Sequence, residues 1–120
     1  SPIKENLLSI TELAKLRQVT SETLRYYDRI GLITPDYVDP QTRYRYYSIR
    51  QYEKLGTIKE LRQLGMSIHD ITDYFSGRNL RKSHQLLLHQ LELLEEEIRK
   101  QQLLSEILRR KLHFLSEITP

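Results

Sequence analysis

Arginine and tyrosine side chains are concentrated in two short segments of the first half of the chain. Residues 25–29 read Arg-Tyr-Tyr-Asp-Arg and residues 43–47 read Arg-Tyr-Arg-Tyr-Tyr. A guanidinium group can donate paired hydrogen bonds to a phosphate or to a guanine edge, and a phenol can donate to a phosphate. The net charge of +3 is too small to indicate such a partner by itself. The two segments therefore favour contact with nucleic acid through the positions of their residues.

Other kinds of chemistry lack the residues that they need. The sequence has no cysteine, which excludes disulfides and thiolate metal sites and is compatible with a reducing cytoplasm. Its four histidines are scattered, so we expect no metal and no cofactor. We find no nucleophile with its base, no paired carboxylates and no phosphate-binding glycine loop, so we expect no enzyme. No apolar run approaches the ~20 residues of a membrane span, and no secretory signal opens the chain.

Two short helices joined by a tight turn are predicted to carry the first segment. Ser9 and Glu12 have the spacing of a capping box, which predicts a first helix over about residues 9–17. Thr20 or Ser21 can cap a second helix a few residues later. Two helices separated by so short a turn match the helix-turn-helix pattern, although any corner between two helices can look similar.

The second helix is the one expected to read DNA. Leu24 and Tyr27 share the side that would pack inward, whereas Arg25 and Tyr26 lie on the other side. The alternative for Arg25 is a helix charge that is merely solvated. The candidate DNA contacts in the first two helices are Thr11, Ser21, Thr23, Arg25 and Tyr26.

Residues 32–47 predict a small β-hairpin, because turn-forming residues precede an aromatic segment of high β propensity. Alternation would place Arg43, Arg45 and Tyr47 on one face of that strand. Tyr44 and Tyr46 would lie on the other face. A strand that shows arginines beside tyrosines can lie against phosphates, and the alternative is an amphipathic hairpin with solvated arginines. The candidate contacts here are Arg43, Tyr44 and Arg45.

A third and a fourth helix are predicted to follow the hairpin. Ser48 begins a second capping box, and apolar residues recur every three positions from Ile49 to Leu64. A fourth helix is expected from Ser67 until a glycine at position 77. Lys59 and Arg62, three residues apart on the third helix, are candidates for a second backbone clamp, or else are plain surface residues.

A single long helix is predicted from Leu80 to about Ile118, a stretch without proline or glycine. Its apolar residues follow alternating steps of three and four, with Gln101 and Ser105 as polar breaks, which indicates a coiled coil. This predicted seam consists of Leu87, Leu91, Leu94, Ile98, Leu108, Leu112 and Leu115. About 39 residues span roughly 58 Å, so the far half needs a partner. We expect a second subunit; the alternative, a bundle within one chain, lacks later helices to pack on.

Several motifs resemble the MerR family of bacterial regulators in order and spacing. They are residues 10–14 (ITELA), 23–33 (TLRYYDRIGLI), 44–47 (YRYY) and 61–67 (LRQLGMS). The likeness covers about residues 8–76, and residues 35–40 (PDYVDP) bring the chain closer to the multidrug-sensing branch. One departure is Arg43, at a position where the family often has glycine.

The resemblance implies a mainly α fold with a small β-hairpin wing. A winged helix-turn-helix domain would occupy residues 1–78, and residues 79–120 would form an antiparallel coiled coil for dimerisation. The implied function is that of a cytoplasmic homodimer on double-stranded promoter DNA, which distorts the promoter spacer in response to an effector and thereby realigns it for RNA polymerase. Arg25 and Tyr26 map to the reading helix, Arg45 to the wing and Arg62 to a second wing. The competing hypothesis is a protein-interaction module with a coiled-coil helix and no DNA binding, which would not need Arg25 and the basic hairpin together.

The effector, the target promoter and the choice between activation and repression cannot be read from the sequence. Family members that sense metals do so through cysteines, so thiolate sensing is excluded for these residues. Other members carry a ligand domain after the coil. The sequence stops at Pro120, where such a domain would begin, so we expect these 120 residues to be part of a longer regulator with a small-molecule effector; the alternative is a minimal regulator.

Overall fold

The structure is a computed structural model that describes residues 6–119, and over these residues it contains three short strands and five helices. In chain order the elements are β1 (Leu8–Ser9), α1 (Ile10–Arg17), α2 (Ser21–Arg29), β2 (Tyr37–Val38), β3 (Arg45–Tyr47), α3 (Ile49–Gln63), α4 (Ile68–Ser76) and α5 (Leu80–Ile118). The chain divides into two compact units between Ser76 and Gly77. We call the first unit the head.

Local side-chain caps fix where the helices begin, as predicted. The Ser9 hydroxyl accepts from the Glu12 amide at 3.1 Å, while the Glu12 carboxylate accepts from the Ser9 amide at 2.8 Å. Ser48 and Gln51 repeat this reciprocal arrangement at the start of α3. Thr20 caps α2 by accepting from the Thr23 amide. Both predicted capping boxes are therefore confirmed.

The sheet has three antiparallel strands in the order β1-β3-β2, so the prediction of a simple hairpin was incomplete. Leu8 and Ser9 in β1 pair with Tyr47 and Tyr46 in β3, whose other edge pairs Tyr46 with Tyr37 of β2. Sequence alone did not indicate β1, because a strand of two residues, the second of which caps α1, is too short to show alternation. We call β2, β3 and the loop between them the wing. Because β3 also pairs with β1, the wing is joined to the segment directly before α1.

The core of the head is formed by apolar residues from all its helices, from β3 and from the loops that follow α2 and α3. The buried set is Leu13, Ala14, Leu24, Tyr27, Leu32, Ile33, Tyr47, Leu55, Ile58, Leu61, Met66 and Ile71. The period of three expected for α3 holds only at its centre, since Ile49 is 66% exposed and Leu64 is 40% exposed. Steps of three drift round a helix of 3.6 residues per turn, so both ends leave the buried side.

α5 is one uninterrupted helix of 39 residues, as predicted. Asn79 caps the start of this helix, because its side chain accepts from the Lys82 amide at 3.2 Å. Among the residues that the structure describes, no helix combines the length and the apolar character needed to cross a membrane.

Candidate nucleic-acid interface

The turn between α1 and α2 positions the second helix and has the tight geometry of a helix-turn-helix. Gln18 adopts the left-handed conformation, with φ 57° and ψ 46°. The amide of Val19 then donates to the Ala14 carbonyl at 2.9 Å. A non-glycine residue tolerates this conformation at a modest cost, and here the chain reverses within three residues before Thr20 caps α2.

The two sides of α2 differ as the sequence predicted. Leu24 and Tyr27 are buried in the head, whereas Tyr26 is exposed and Arg25 is half-buried. The Arg25 guanidinium donates to the Glu22 carboxylate at 2.9 Å, and both side chains remain accessible to solvent. Such an exposed pair contributes little to stability, so Arg25 can exchange it for a ligand.

Ser21 and Thr23 lie in the first turn of α2, next to its cap. The hydroxyls of Thr20 and Thr23 are 2.9 Å apart, and the Thr23 amide donates to the Thr20 hydroxyl. The Thr23 hydroxyl, a predicted DNA contact, is therefore hydrogen-bonded to the Thr20 hydroxyl that caps α2. Ser21 is half-buried at the same helix end.

The loop between β2 and β3 is closed by Asp39. Its carboxylate accepts from the amides of Gln41 and Thr42 at 2.8 and 3.1 Å, and its carbonyl accepts from the Arg43 amide at 2.8 Å. Arg43 adopts a positive φ of 66°, the conformation that glycine favours. An arginine thus occupies a turn position whose backbone conformation favours glycine, and its side chain is exposed.

Alternation placed Arg43, Arg45 and Tyr47 on one face of β3, but the three residues have different surroundings in the structure. Tyr47 is fully buried, Arg45 is half-buried beside it, and Arg43 lies before the strand begins. The Nε of Arg45 donates to the Asp28 carboxylate of α2 at 3.0 Å. Tyr47, which alternation placed beside the two arginines, therefore faces the core of the head, while the contact of Arg43 and Arg45 with phosphates stays a prediction.

The Tyr47 hydroxyl is buried and has no hydrogen-bond partner among the residues that the structure describes. Burial, and then the nearby Asp28 carboxylate, raise the pKa of Tyr47 to about 12. Burial also raises the pKa of Tyr27, with the Arg62 guanidinium acting in the opposite direction. Both phenols are therefore held neutral in the core.

A groove of about 550 Å³ brings the reading helix and the wing together. Its lining contains three arginines and no carboxylate. The lining residues are Ser9, Ile10, Thr11, Arg25, Arg43, Tyr44, Arg45 and Tyr46. Five of the ten predicted DNA contacts thus line one groove, whereas Ser21, Thr23 and Tyr26 on α2 do not.

The remaining two predicted contacts, Lys59 and Arg62, do not line this groove and have partners within the head. The Lys59 ammonium donates to the carbonyl of Arg17 at the end of α1. The Arg62 guanidinium donates to the carbonyl of Met66 at 2.9 Å, just after α3 ends. Both cations thus bind carbonyls at or just beyond helix ends, which the sequence interpretation of a shared backbone clamp did not anticipate.

Arg17, at the end of α1, contacts α3 through Tyr52, which was not predicted from the sequence. Its Cζ lies 3.7 Å from the centre of the Tyr52 ring, and its Nε donates to the Tyr52 carbonyl at 2.9 Å. A Cβ atom at Gly56 would lie 2.7 Å from that Cζ, so the glycine leaves room for the guanidinium. An isolated glycine inside the apolar pattern of α3 was the available signal.

The seam predicted on α5 is exposed in the single chain. Leu87 is partly accessible, and the other six seam residues have exposures from 48% for Ile98 to 65% for Leu112. Further exposed apolar residues on the same helix were not predicted as part of the seam. They are Leu80, Leu88, Leu93, Leu103, Leu104, Ile107, Phe114 and Ile118.

A family model, curated relatives and solved structures all indicate the same class of protein. Residues 8–78 match the family model described as "MerR HTH family regulatory protein". The Multidrug-efflux transporter 1 regulator of Bacillus subtilis is 36% identical over 116 residues, which cover 97% of this chain and 36% of that protein. The transcriptional regulator BrlR of Pseudomonas aeruginosa is 36% identical over 105 residues, covering 84% of this chain and 39% of that protein. The chain thus spans a little over a third of these relatives.

A similar solved structure is EcmrR in complex with DNA, within an assembly designated EcmrR-RPo. It is 31% identical to this chain, with a TM-score of 0.60, and the match covers 92% of this chain and 39% of that one. The winged helix-turn-helix fold followed by a long helix is confirmed by this likeness. A DNA-bound neighbour does not favour the alternative of a protein-interaction module.

Proposed function

The chain belongs to the MerR family of helix-turn-helix regulatory proteins, and we propose that it binds double-stranded promoter DNA as a homodimer and regulates transcription there. In this proposal residues 1–78 form the DNA-binding domain and residues 79–120 the dimerisation helix. The dimer distorts the promoter spacer in response to an effector, which changes the alignment of the promoter for RNA polymerase. Such a regulator acts in the cytoplasm and catalyses no reaction.

The groove between α2 and the wing is the observation that carries this proposal. Arg25 enters it from α2, while Arg43 and Arg45 enter it from the wing. Three guanidinium groups with no carboxylate in the lining attract a phosphate backbone. Arg25 lies on a helix whose exposed side is free to enter a major groove, where its fork can read guanine.

The wing has the chemistry of a backbone contact. Arg43 is exposed at the loop tip, and the exposed phenol of Tyr44 follows it. Arg45 uses its Nε for Asp28, and the two Nη groups of its guanidinium can still donate toward a phosphate. In this proposal Arg45 therefore both contacts DNA and fixes the wing on α2.

The relatives support the wider role. Their names describe regulators of multidrug-efflux transporters and a transcriptional regulator, and EcmrR was solved with DNA. In this proposal the signal is a small-molecule effector that acts through a domain outside these 120 residues. The distortion of DNA would transmit that signal to the promoter.

A footprint on the DNA that flanks the protein's own gene tests the proposal. We expect two protected half-sites related by two-fold symmetry, since a dimer presents its reading helix twice. Affinity should fall on the order of 10³-fold between about 50 and 200 mM salt, because bound phosphates release counterions. A dimer that gives no footprint, or an affinity insensitive to salt, would overturn the proposal.

A further inference from the structure

The seam of α5 has the same pattern of residue types when it is read in either direction from Leu103. Apolar seam residues lie 5, 9 and 12 positions before and after Leu103, as the positions in the sequence show. The two polar seam residues, Gln101 and Ser105, lie two positions before and after it. When this seam packs against the same seam of a second copy, polar residues meet polar residues and apolar residues meet apolar residues in two arrangements. The two copies either run antiparallel about the level of Leu103 or run parallel in register.

The antiparallel coiled coil is the arrangement that membership of the family implies, and we propose its register: the two-fold axis crosses the pair of α5 helices at the level of Leu103. This proposal rests on the homodimer of the proposed function and adds its register. Gln101 then faces the partner's Ser105, and Ile98 faces the partner's Leu108. A shift by half a heptad would place Gln101 against the partner's Ile98 or Leu112, which buries an amide against an apolar side chain.

Charges beside the seam distinguish the antiparallel pairing from the parallel one. Glu95 and Arg109 flank one side of the seam, and Glu97 and Lys111 flank the other; all four are exposed in the single chain. In antiparallel coiled coils, residues on the same side of the seam meet across the interface. The axis at Leu103 thus brings Glu95 near the partner's Arg109 and Glu97 near the partner's Lys111, four opposite-charge pairs in the dimer.

A parallel dimer in register has no such complementarity. In that arrangement each flanking residue meets the residue five positions later in the partner. Glu97 would meet the partner's Gln102, and Leu104 would meet the partner's Arg109. Charge complementarity therefore selects the antiparallel register from the two alignments that match polar seam residues.

Disulfide trapping tests the register directly, because the sequence has no cysteine of its own. Ile98→Cys and Leu108→Cys are made singly in the full 120-residue chain, then mixed and oxidised. We expect the mixed disulfide to dominate by mass spectrometry, since position 98 would lie about 15 Å along the helix from the partner's position 98. Each variant oxidised alone should cross-link at least about tenfold less.

Each other outcome has a distinct meaning. A dominant disulfide between two copies of Ile98→Cys would indicate a parallel dimer and overturn the proposal. A dimer in sedimentation that forms no mixed disulfide would overturn this register while the proposed function stands. A chain that sediments as a monomer under all conditions would contradict the homodimer of the proposed function itself.

Charge reversal provides a second test that leaves the apolar seam intact. Glu97→Lys or Lys111→Glu should weaken the dimer about tenfold, because each creates two like-charge contacts. The double variant restores opposite charges and should return to within about threefold of the parent. Glu92→Lys, the same change on the outer side of the helix, is the control. Equal effects of Glu97→Lys and Glu92→Lys, or no recovery in the double variant, would overturn the proposal.

Discussion

Every buried apolar side chain among the described residues lies between positions 13 and 71, whereas α5 exposes an apolar row along almost its whole length. Three cations of the head have hydrogen-bond partners within it, since Arg17, Lys59 and Arg62 each donate to a backbone carbonyl. The head thus has a complete core of its own, and α5 does not.

The difference shows how one chain can separate binding from assembly. In the head, the groove between α2 and β3 is lined by three arginines and no carboxylate, so that surface is suited to DNA. In α5, the accessible seam is apolar, so that surface is suited to another apolar seam. A charge placed in each region should therefore have different consequences.

The largest effect is expected from Leu94→Lys in the seam of α5. Each dimer loses two buried leucines at about 1.5–3 kcal/mol each, and two ammonium groups must be desolvated. The dimer dissociation constant should rise at least about 100-fold, and operator binding should fall with it, while the head keeps its thermal unfolding transition. His89→Lys, on the outer side of α5, is the control. Sedimentation of Leu94→Lys as an intact dimer would contradict the seam.

The next largest effect is expected from Arg25→Ala in the groove of the head. Operator binding should weaken by about 1–3 kcal/mol, because a base or phosphate contact is lost from each reading helix. The fold and the dimer should remain, since the ion pair of Arg25 with Glu22 is exposed and contributes little to stability. Arg110→Ala, which removes the same charge from α5, should bind nearly as the parent does. An unchanged affinity in a gel shift would remove Arg25 from the reading surface.

The elements that depend on local signals could be predicted from the sequence. The capping boxes at Ser9 and Ser48, the two faces of α2 and the extent of α5 follow from residues three or four positions apart. The position of Arg25 on the reading helix is of the same kind. These features persist because neighbouring residues along the chain determine them.

The partners of the charged residues could not be predicted in this way. Arg45 reaches Asp28 across 17 positions, Lys59 reaches Arg17 across 42, and β1 pairs with β3 across the head. An arginine that alternation places on a strand face is equally consistent with solvent or with a carboxylate from another helix. Only the packing of the head decides between them, which is why the Asp28 partner of Arg45 was not predicted.

A smaller effect is expected at the Asp28–Arg45 bridge, which joins α2 to the wing. A double-mutant cycle with Asp28→Ala and Arg45→Ala should give a coupling energy of about 0.5–1 kcal/mol in urea unfolding, because the bridge is only partly buried. Asp28→Ala should also weaken operator binding a few-fold, since Arg45 loses the contact that holds it at the groove. Additive effects on stability would mean that the bridge does not couple the two elements.

The smallest effect at neutral pH is expected from Tyr47→Phe. The hydroxyl that is lost is buried without a partner among the described residues, so removing it should change stability by about 1 kcal/mol or less, with a gain expected. Tyr44→Phe, which removes the same group from an exposed side chain, is the control. A loss well above 1 kcal/mol would show that the Tyr47 hydroxyl has a partner in solution.

Alkaline pH should magnify the difference between these two variants. The pKa of Tyr47 is about 12 in the folded head, above the ordinary 10.0, so the folded state holds this proton more tightly than the unfolded chain. The stability that follows is complete below pH 10 and is lost as the pH rises from 10 toward 12. Tyr47→Phe should reduce that fall, leaving the part that comes from Tyr27, whose pKa burial also raises. Urea midpoints measured across this range should separate Tyr47→Phe from both the parent and Tyr44→Phe; identical pH profiles would contradict the burial of the Tyr47 phenol.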